Sequence, residues 1–377
     1  MAQPTGLTRR QRVRASGPST FRSPLNPPSS ARSAGITAAT MAAPVTVRFE
    51  PVALGADAQP SLPRSGACAA ALPSWHPHEA IMLTGYTEDA SAGGTPPRLT
   101  SQAAVVGDEL VLVAGWNPAA AAGAPDPSVQ FLNDVWALDL RTWRWRQVAP
   151  AGPEELPRIS RFAMTPLPGG PGRLLLHTHR SAEDVLVLEP AASPPALGKV
   201  PVRGVSPDAP SPPSRGLHSL TAASAPEGAS GSALYVFGGA PQSGPMFGDL
   251  WALDPAAMTW QELRPEGPAP HARCSHVAAA ACSGRYLVAH GGSFYEQPGK
   301  LQPLDDVVVY DTQAKRWLEA KVEGPRPRAR NAHVMVPLRP AAGSAADRFL
   351  LHGGWRPFVE SYNDSFIVTV EAGGAAA

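Results

Sequence analysis

Short apolar runs recur along the chain, and each closes on small or polar residues. They read "ELVLVAG" (109–115), "RLLLHTH" (173–179), "ALYVFGG" (233–239), "YLVAHGG" (286–292) and "RFLLHGG" (348–354). Runs this short, bounded by turn formers, predict strands rather than helices. A second apolar segment, opened by an arginine, precedes each of them: "PRLTSQAAVV" at Arg98, "PRISRFAMTP" at Arg158, "SRGLHSLTAA" at Arg215, "ARCSHVAAAA" at Arg273 and "ARNAHVMVPL" at Arg330. From Arg98 onward these arginines stand 60, 57, 58 and 57 residues apart. An earlier copy, "PRSGACAAAL", opens at Arg64.

A third segment follows each run. It is most regular in "FLNDVWALDLRTWRW" (131–145), "MFGDLWALDPAAMTW" (246–260) and "PLDDVVVYDTQAKRW" (303–317). Each holds an Asp, four apolar residues and a second Asp, and a Trp stands six residues after that Asp. The Trp opens a fourth segment. Four short strands per unit of nearly 60 residues predict a four-stranded antiparallel blade. A single blade leaves apolar faces uncovered, and several arranged radially cover them, so the expected fold is an all-β propeller. In this scheme the paired glycines allow close backbone approach. Trp145, Trp260 and Trp317 wedge between blades. The Asp residues serve turn backbone groups.

Taken together, the Gly-Gly pair, the Asp-x4-Asp spacing, the Trp six later and the Pro-Arg-x-x-His segment resemble the kelch-repeat family of β-propellers. The resemblance covers roughly residues 45–372 and implies six blades, the first incomplete. Arg64 to Arg98 spans only 34 residues, too few for four strands. Either a partner covers the resulting strand edge, or the gene model lacks an exon. The last unit stops after three strands, and "VTVRFEPVAL" at 45–54 is expected to supply its fourth. The third unit departs from the pattern, with Thr178-His179 for Gly-Gly, Glu189 for the second Asp and no Trp after it.

Composition supports many short elements: 44 Pro and 35 Gly stand beside 43% hydrophobic content. Residues 1–49 carry seven Arg and no acid, which leaves the rest with 25 basic against 31 acidic residues. An acidic body gives no reason to expect nucleic-acid binding. No apolar run is long enough to span a bilayer, so a soluble, monomeric propeller with no membrane contact is expected. Three scattered cysteines do not make a disulfide framework. Residues 1–44 have the composition of a disordered transit peptide. Their prolines oppose the amphipathic helix of a mitochondrial signal, so a plastid is expected. The alternative is a cytoplasmic protein translated from Met41. Residues 373–377 are read as a tail.

Chemistry is expected at the ring end where the arginines enter and the second strands leave. There Arg64, Arg98, Arg158, Arg215, Arg273 and Arg330 are predicted to ring the mouth. The loops add Trp116, Tyr295, Trp355 and Tyr362, together with Tyr86, Phe131, Phe247, Phe294 and Phe358. Arginine and aromatic side chains are the usual stuff of binding hot spots, and Arg reads carboxylates bidentately. In kelch relatives that capture acidic peptides, arginines at this repeat position do that work. The resemblance therefore implies a non-catalytic scaffold holding a protein partner, with an acidic peptide as ligand and no cofactor or metal. On this reading Arg215→Ala and Arg273→Ala abolish capture without lowering the melting temperature.

The alternative is a small-molecule or metal-dependent enzyme with its site in the central channel. His177, His290 and His352 share one repeat position, and His218, His276 and His333 share another, so they could converge. No His has an Asp four residues earlier, which disfavours the Glu-x3-Asp-x3-His iron motif of specifier-type relatives. Galactose-oxidase-like copper needs two Tyr, two His and a Cys cross-linked to Tyr, and no local motif supports it.

Overall fold

The computed structural model describes residues 45–53, 64–85 and 98–373, apart from 123, 227, 230 and 298. The segment read as a transit peptide (1–44), Tyr86 and residues 374–377 lie outside them. Among the described residues, the 57–60-residue repeat folds into five blades of four antiparallel strands, and blades four and six each carry one further short strand, Arg203–Gly204 and Lys321–Glu323, added in parallel at the outer edge. Numbered by repeat, blade two is Gln102–Val106, Glu109–Trp116, Phe131–Asp139 and Arg144–Val148. Blade three is Ala163–Pro166, Leu174–His177, Asp184–Glu189 and Ala196–Pro201. Blade four is Ser219–Ser224, Ser232–Phe237, Leu250–Asp254 and Thr259–Leu263. Blade five is Val277–Ala281, Tyr286–His290, Val307–Asp311 and Arg316–Leu318.

Blade six joins the two ends of the described chain. Val334–Leu338, Asp347–His352 and Ser365–Glu371 are completed by Thr46–Pro51, which pairs antiparallel with Ser365–Glu371 from Thr46↔Glu371 to Pro51↔Phe366. The expected N-terminal strand is therefore the closing strand. Among the described residues, unit one has two strands, Cys68–Ala71 and Ala80–Leu83, paired with each other. Among the described residues the ring thus has five blades and a two-stranded sixth unit.

A backbone belt seats that short unit like the others. Just before each first strand one residue has positive φ: Gly66 (62°), Thr100 (51°), Arg161 (60°), Leu217 (60°), Ser275 (55°) and Ala332 (50°). All of them but Thr100 offer the carbonyl to the next unit's N–H. Thr100 donates to Gly66 (2.8 Å), Leu217 to Arg161 (2.8 Å), Ser275 to Leu217 (2.8 Å), Ala332 to Ser275 (2.9 Å) and Gly66 to Ala332 (2.9 Å). The loop of the short hairpin is also tied down on both sides. Trp75 Nε1 donates to Asp108 of blade two (3.0 Å), and Arg339 of blade six donates to the His78 carbonyl (2.8 Å).

Between blades the packing follows the predicted wedge. Trp260 lies edge-on to His177 of blade three, and Trp317 meets Phe237 of blade four, with ring centroids 5.5 and 5.2 Å apart. In blade six, Phe49 of the N-terminal strand takes the same place, 5.5 Å from His290 of blade five. The glycine pairs behave as expected. Gly238 and Gly239 have φ of 61° and 98°, and a Cβ on Gly239 would come within 2.8 Å of the His218 Cβ.

Candidate partner-binding site

The repeat arginines do not line an open mouth. Arg98, Arg215, Arg273 and Arg330 are buried, the last three completely. Each grips the first Asp of its own blade with both Nη atoms: Asp134, Asp249, Asp306 and Asp364, at 2.6–2.9 Å. Each also donates Nη1 to a carbonyl at the end of the second strand: Ala114 (3.1 Å), Gly238 (2.9 Å), Gly291 (3.0 Å) or Gly353 (2.9 Å). The arginine therefore ties the start of the first strand to the end of the second and the start of the third. Burial alone would push Asp249 up, but the bonds and charge of Arg215, with help from the Trp251 indole, outweigh it and hold the carboxyl below its usual range.

These contacts overturn two expectations. Arg98, Arg215, Arg273 and Arg330 are structural, because each is buried and clamped to its own Asp, Arg215 also backing the cavity described below. The first Asp of each repeat is an ion-pair partner rather than a turn group. Only the second Asp serves a turn, as Asp139 does for the N–H groups of Arg141 and Thr142 (both 2.8 Å). Tyr362 is also withdrawn from any partner. It is buried, with its ring 4.4 Å from the Arg330 guanidinium and 4.3 Å from that of Arg328. Arg64 occupies the anchor place of the short unit and donates to Thr84 O (2.9 Å). Tyr295 is exposed on the hairpin Ser293–Gln297/Lys300–Pro303, and Trp355 is half-buried against Phe358 on the hairpin Trp355–Arg356/Glu360–Ser361.

Arg158 differs because blade three is shifted by one residue. The carbonyl of Ile159, not of Arg158, receives the Gly115 N–H, the role that Arg273 and Arg330 carbonyls play for Gly239 and Gly292. Buried Ile159 thus holds the anchor place, and Arg158 is left exposed, donating to Phe131 O (3.0 Å). Where other units turn on a positive-φ pair, Thr178-His179 makes a different turn, closed by Thr178 N–H to Ser181 Oγ (2.9 Å).

This irregular blade borders a cavity of about 420 Å³. Its walls include Trp116, Gln130, Phe131, Arg158, Arg161, His179, Arg180, Ser214 and Gln242. Two short 3-10 turns, Pro118–Ala121 and Pro127–Gln130, capped by Asn117 and Asp126, shape one wall. They fix Gln130, whose Oε1 accepts from Trp116 Nε1 (2.7 Å). Arg158, Arg161 and Arg180 are exposed, and among the described residues no carboxylate lies within ion-pair distance of them. Arg161 stands 6.0 Å over the Trp116 ring. Sequence reasoning placed Arg158 and Trp116 here but missed Arg161 and Arg180. The usable signal was the break in the repeat itself, where "PRISRF" offers two arginines and "THR" replaces Gly-Gly.

The repeat-matched histidines pair across blades. His177 Nδ1 shares a hydrogen bond with His218 Nε2 (2.9 Å), and His290 Nδ1 with His333 Nε2 (3.1 Å). Burial, reinforced by nearby arginines, lowers His177, His276 and His290 to about 3 and holds His218 and His333 well below the usual range. They are neutral at physiological pH. His218, His276 and His333 border a central channel of about 590 Å³, lined mostly by alanine and other small residues. Among the described residues no three His, Cys, Asp or Glu side chains gather as a metal-ligand set.

Comparison with known proteins agrees with this geometry. Residues 197–372 match the KLHDC2/KLHL20/DRC7 Kelch-repeats domain, and residues 97–152 match the Kelch motif. The chain is a kelch-repeat β-propeller. This propeller is similar to acyl-CoA-binding domain-containing protein 5 of Arabidopsis thaliana, 27% identical over 64% of the chain and 35% of that protein. It is also similar to the Rab9 effector protein with kelch motifs of Gallus gallus, 33% identical over 36% of the chain and 33% of that protein. The chain thus spans about a third of the length of these curated relatives. Among solved structures, the kelch propeller resembles that of YjhT with a TM-score of 0.56 at 13% identity, covering 83% of this chain and 99% of that one. That likeness concerns the fold.

Proposed function

We propose that this kelch propeller is a non-catalytic protein-binding module that holds an acidic segment of a partner in the cavity between blades two, three and four. One observation carries the reading. Every buried anchor arginine has its own Asp, whereas Arg158, Arg161 and Arg180 face one 420 Å³ hollow without an ion pair among the described residues, the charge of Arg158 reaching Asp126 only at longer range. Exposed guanidinium groups beside Trp116 and Phe131 offer bidentate donors and stacking faces together, the combination that recognises carboxylates on an extended peptide. A relative named as a Rab9 effector supports a protein rather than a small molecule as partner.

Proximity labelling in the source cell, followed by binding of the labelled proteins' acidic segments as synthetic peptides, tests the proposal. Peptide binding that is lost in an Arg161→Ala/Arg180→Ala variant, and that weakens with added salt, supports it. Equal binding by the variant overturns it. Plastid delivery by residues 1–44 belongs to the same proposal. A fluorescent fusion that stays in the cytoplasm, or that begins at Met41, contradicts that part.

A further inference from the structure

Among the described residues unit one has no outer hairpin, yet its inner half is built as in the complete blades. Gly66 sits in the backbone belt, and Arg64 Nη1 holds Thr84 O (2.9 Å) as Arg98 holds Ala114 O (3.1 Å). In the complete blades with an anchor arginine, the Asp that pairs with it stands directly before the third strand (Asp249, Asp306, Asp364) or within it (Asp134). Among the described residues Arg64 has no such acid. Among the described residues the second strand is also uncovered on its outer side. Ala80–Leu83 is half-buried throughout, whereas Leu174–His177 and Tyr286–His290 are wholly buried. Leu72 N–H donates to Glu79 O, so alternation directs the N–H and C=O of Ala80 and Met82 to the outer edge.

The flanking blade records the same gap. Trp317 clusters with Leu250 and Ala252 of blade four's third strand, and Trp260 with Val185 of blade three's. Trp145, Ile81 and Leu83 pack against one buried cluster that includes Leu110 and Leu138, and Trp145 stays half-buried there, while Trp260 and Trp317 are buried.

We propose that the outer edge of Ala80–Leu83 is a docking site for an extended segment of a partner protein. The segment adds antiparallel as the missing third strand. It is led by an Asp or Glu that pairs with Arg64 and carries apolar residues at alternate positions against Trp145. The molecule's own third strands supply the template for this occupant. Recognition is by backbone addition to a sheet edge, with one charge fixing the register.

The probe is a fluorescent peptide of residues 133–148, "NDVWALDLRTWRWRQV", which carries a third and a fourth strand. Titrated into the full chain, it is expected to bind saturably and antiparallel. Met82→Pro removes an outward N–H while sparing the ladder to the first strand, and it should weaken binding at least tenfold. Met82→Ala should stay within twofold. Arg64→Ala, or Asp134→Asn in the peptide, should weaken binding severalfold. Arg161→Ala/Arg180→Ala should leave it unchanged, which separates this edge from the cavity. Hydrogen exchange on the unaltered chain gives a second readout: the Met82 amide should exchange fast alone and slow with peptide. Several outcomes overturn the proposal: no binding, binding indifferent to Met82→Pro, or a Met82 amide already protected in the free monomer, meaning that the chain covers its own edge. Concentration-dependent dimerisation abolished by Met82→Pro also overturns it, in favour of a second copy as occupant.

Discussion

Arg273 holds Asp306 with two parallel hydrogen bonds, Nη1 to Oδ1 at 2.7 Å and Nη2 to Oδ2 at 2.6 Å, while its Nε donates to the His271 carbonyl at 3.1 Å. That guanidinium is completely buried, out of a partner's reach. The same clamp recurs at Arg98, Arg215 and Arg330, which makes it part of the blade rather than of a binding surface.

Arg273→Ala should therefore destabilise the propeller. The pair is less costly to break than a fully enclosed one, because Asp306 keeps 40% of its side chain exposed. A loss of about 2–3 kcal/mol follows, against the ~3–5 of a completely buried pair. Thermal melting should fall by several degrees, whereas Arg158→Ala should leave it within a degree or so. Equal melting of Arg273→Ala and the parent would show the clamp to be dispensable.

The N-terminal strand makes the ring's closing contact. Phe49 is 1% exposed, edge-on to Phe366 at 6.4 Å and beside His290 at 5.5 Å. Phe49→Ala should cost about 3–5 kcal/mol, in the range of other large-to-small core changes. Denaturant unfolding would read it. A midpoint unchanged from the parent would mean that Thr46–Pro51 is a loose addition rather than a structural strand.

Most of this architecture was legible in the sequence because it repeats. Asp139, Asp254 and Asp311 as turn residues, Trp260 and Trp317 as wedges and the N-terminal closing strand all follow from position within the unit. What the repeat could not show was burial. Arg215 and Arg273 look like a charged ring in one dimension, and only the fold reveals that each lies against its own Asp. Arg158 was placed as an anchor because the one-residue shift that puts Ile159 there leaves the spacing almost unchanged. Arg161 and Arg180 acquire meaning only when the irregular turn at Thr178-His179 brings them to the same hollow.

Acid should weaken the fold in two stages. His177, His276 and His290 have folded values of about 3 against 6.5 when free, so the unfolded chain takes up protons first. Their contribution is complete above pH 6.5 and declines as the pH falls from there toward 3. At pH 5.5 each such imidazole costs about 1.4 kcal/mol. The depressed carboxyls of Asp134, Asp249 and Asp364 add a later loss, as the pH drops below the ordinary carboxylate range. Melting at pH 7.5 and 5.5 should differ by many degrees, and His290→Phe should flatten the upper part of that dependence. A melting temperature constant across this interval would contradict neutral, buried histidines.

The central claim is that the basic cavity, and not the buried arginine clamps, takes the partner. Its most direct test is calorimetric titration of an identified acidic partner segment into the parent, Arg161→Ala/Arg180→Ala and Arg273→Ala, with melting temperatures measured on the same samples. The double cavity variant should bind at least tenfold more weakly at unchanged melting temperature. Arg273→Ala should melt lower yet bind normally while folded. Full affinity in the cavity variant, or loss of affinity confined to Arg273→Ala, would contradict the account.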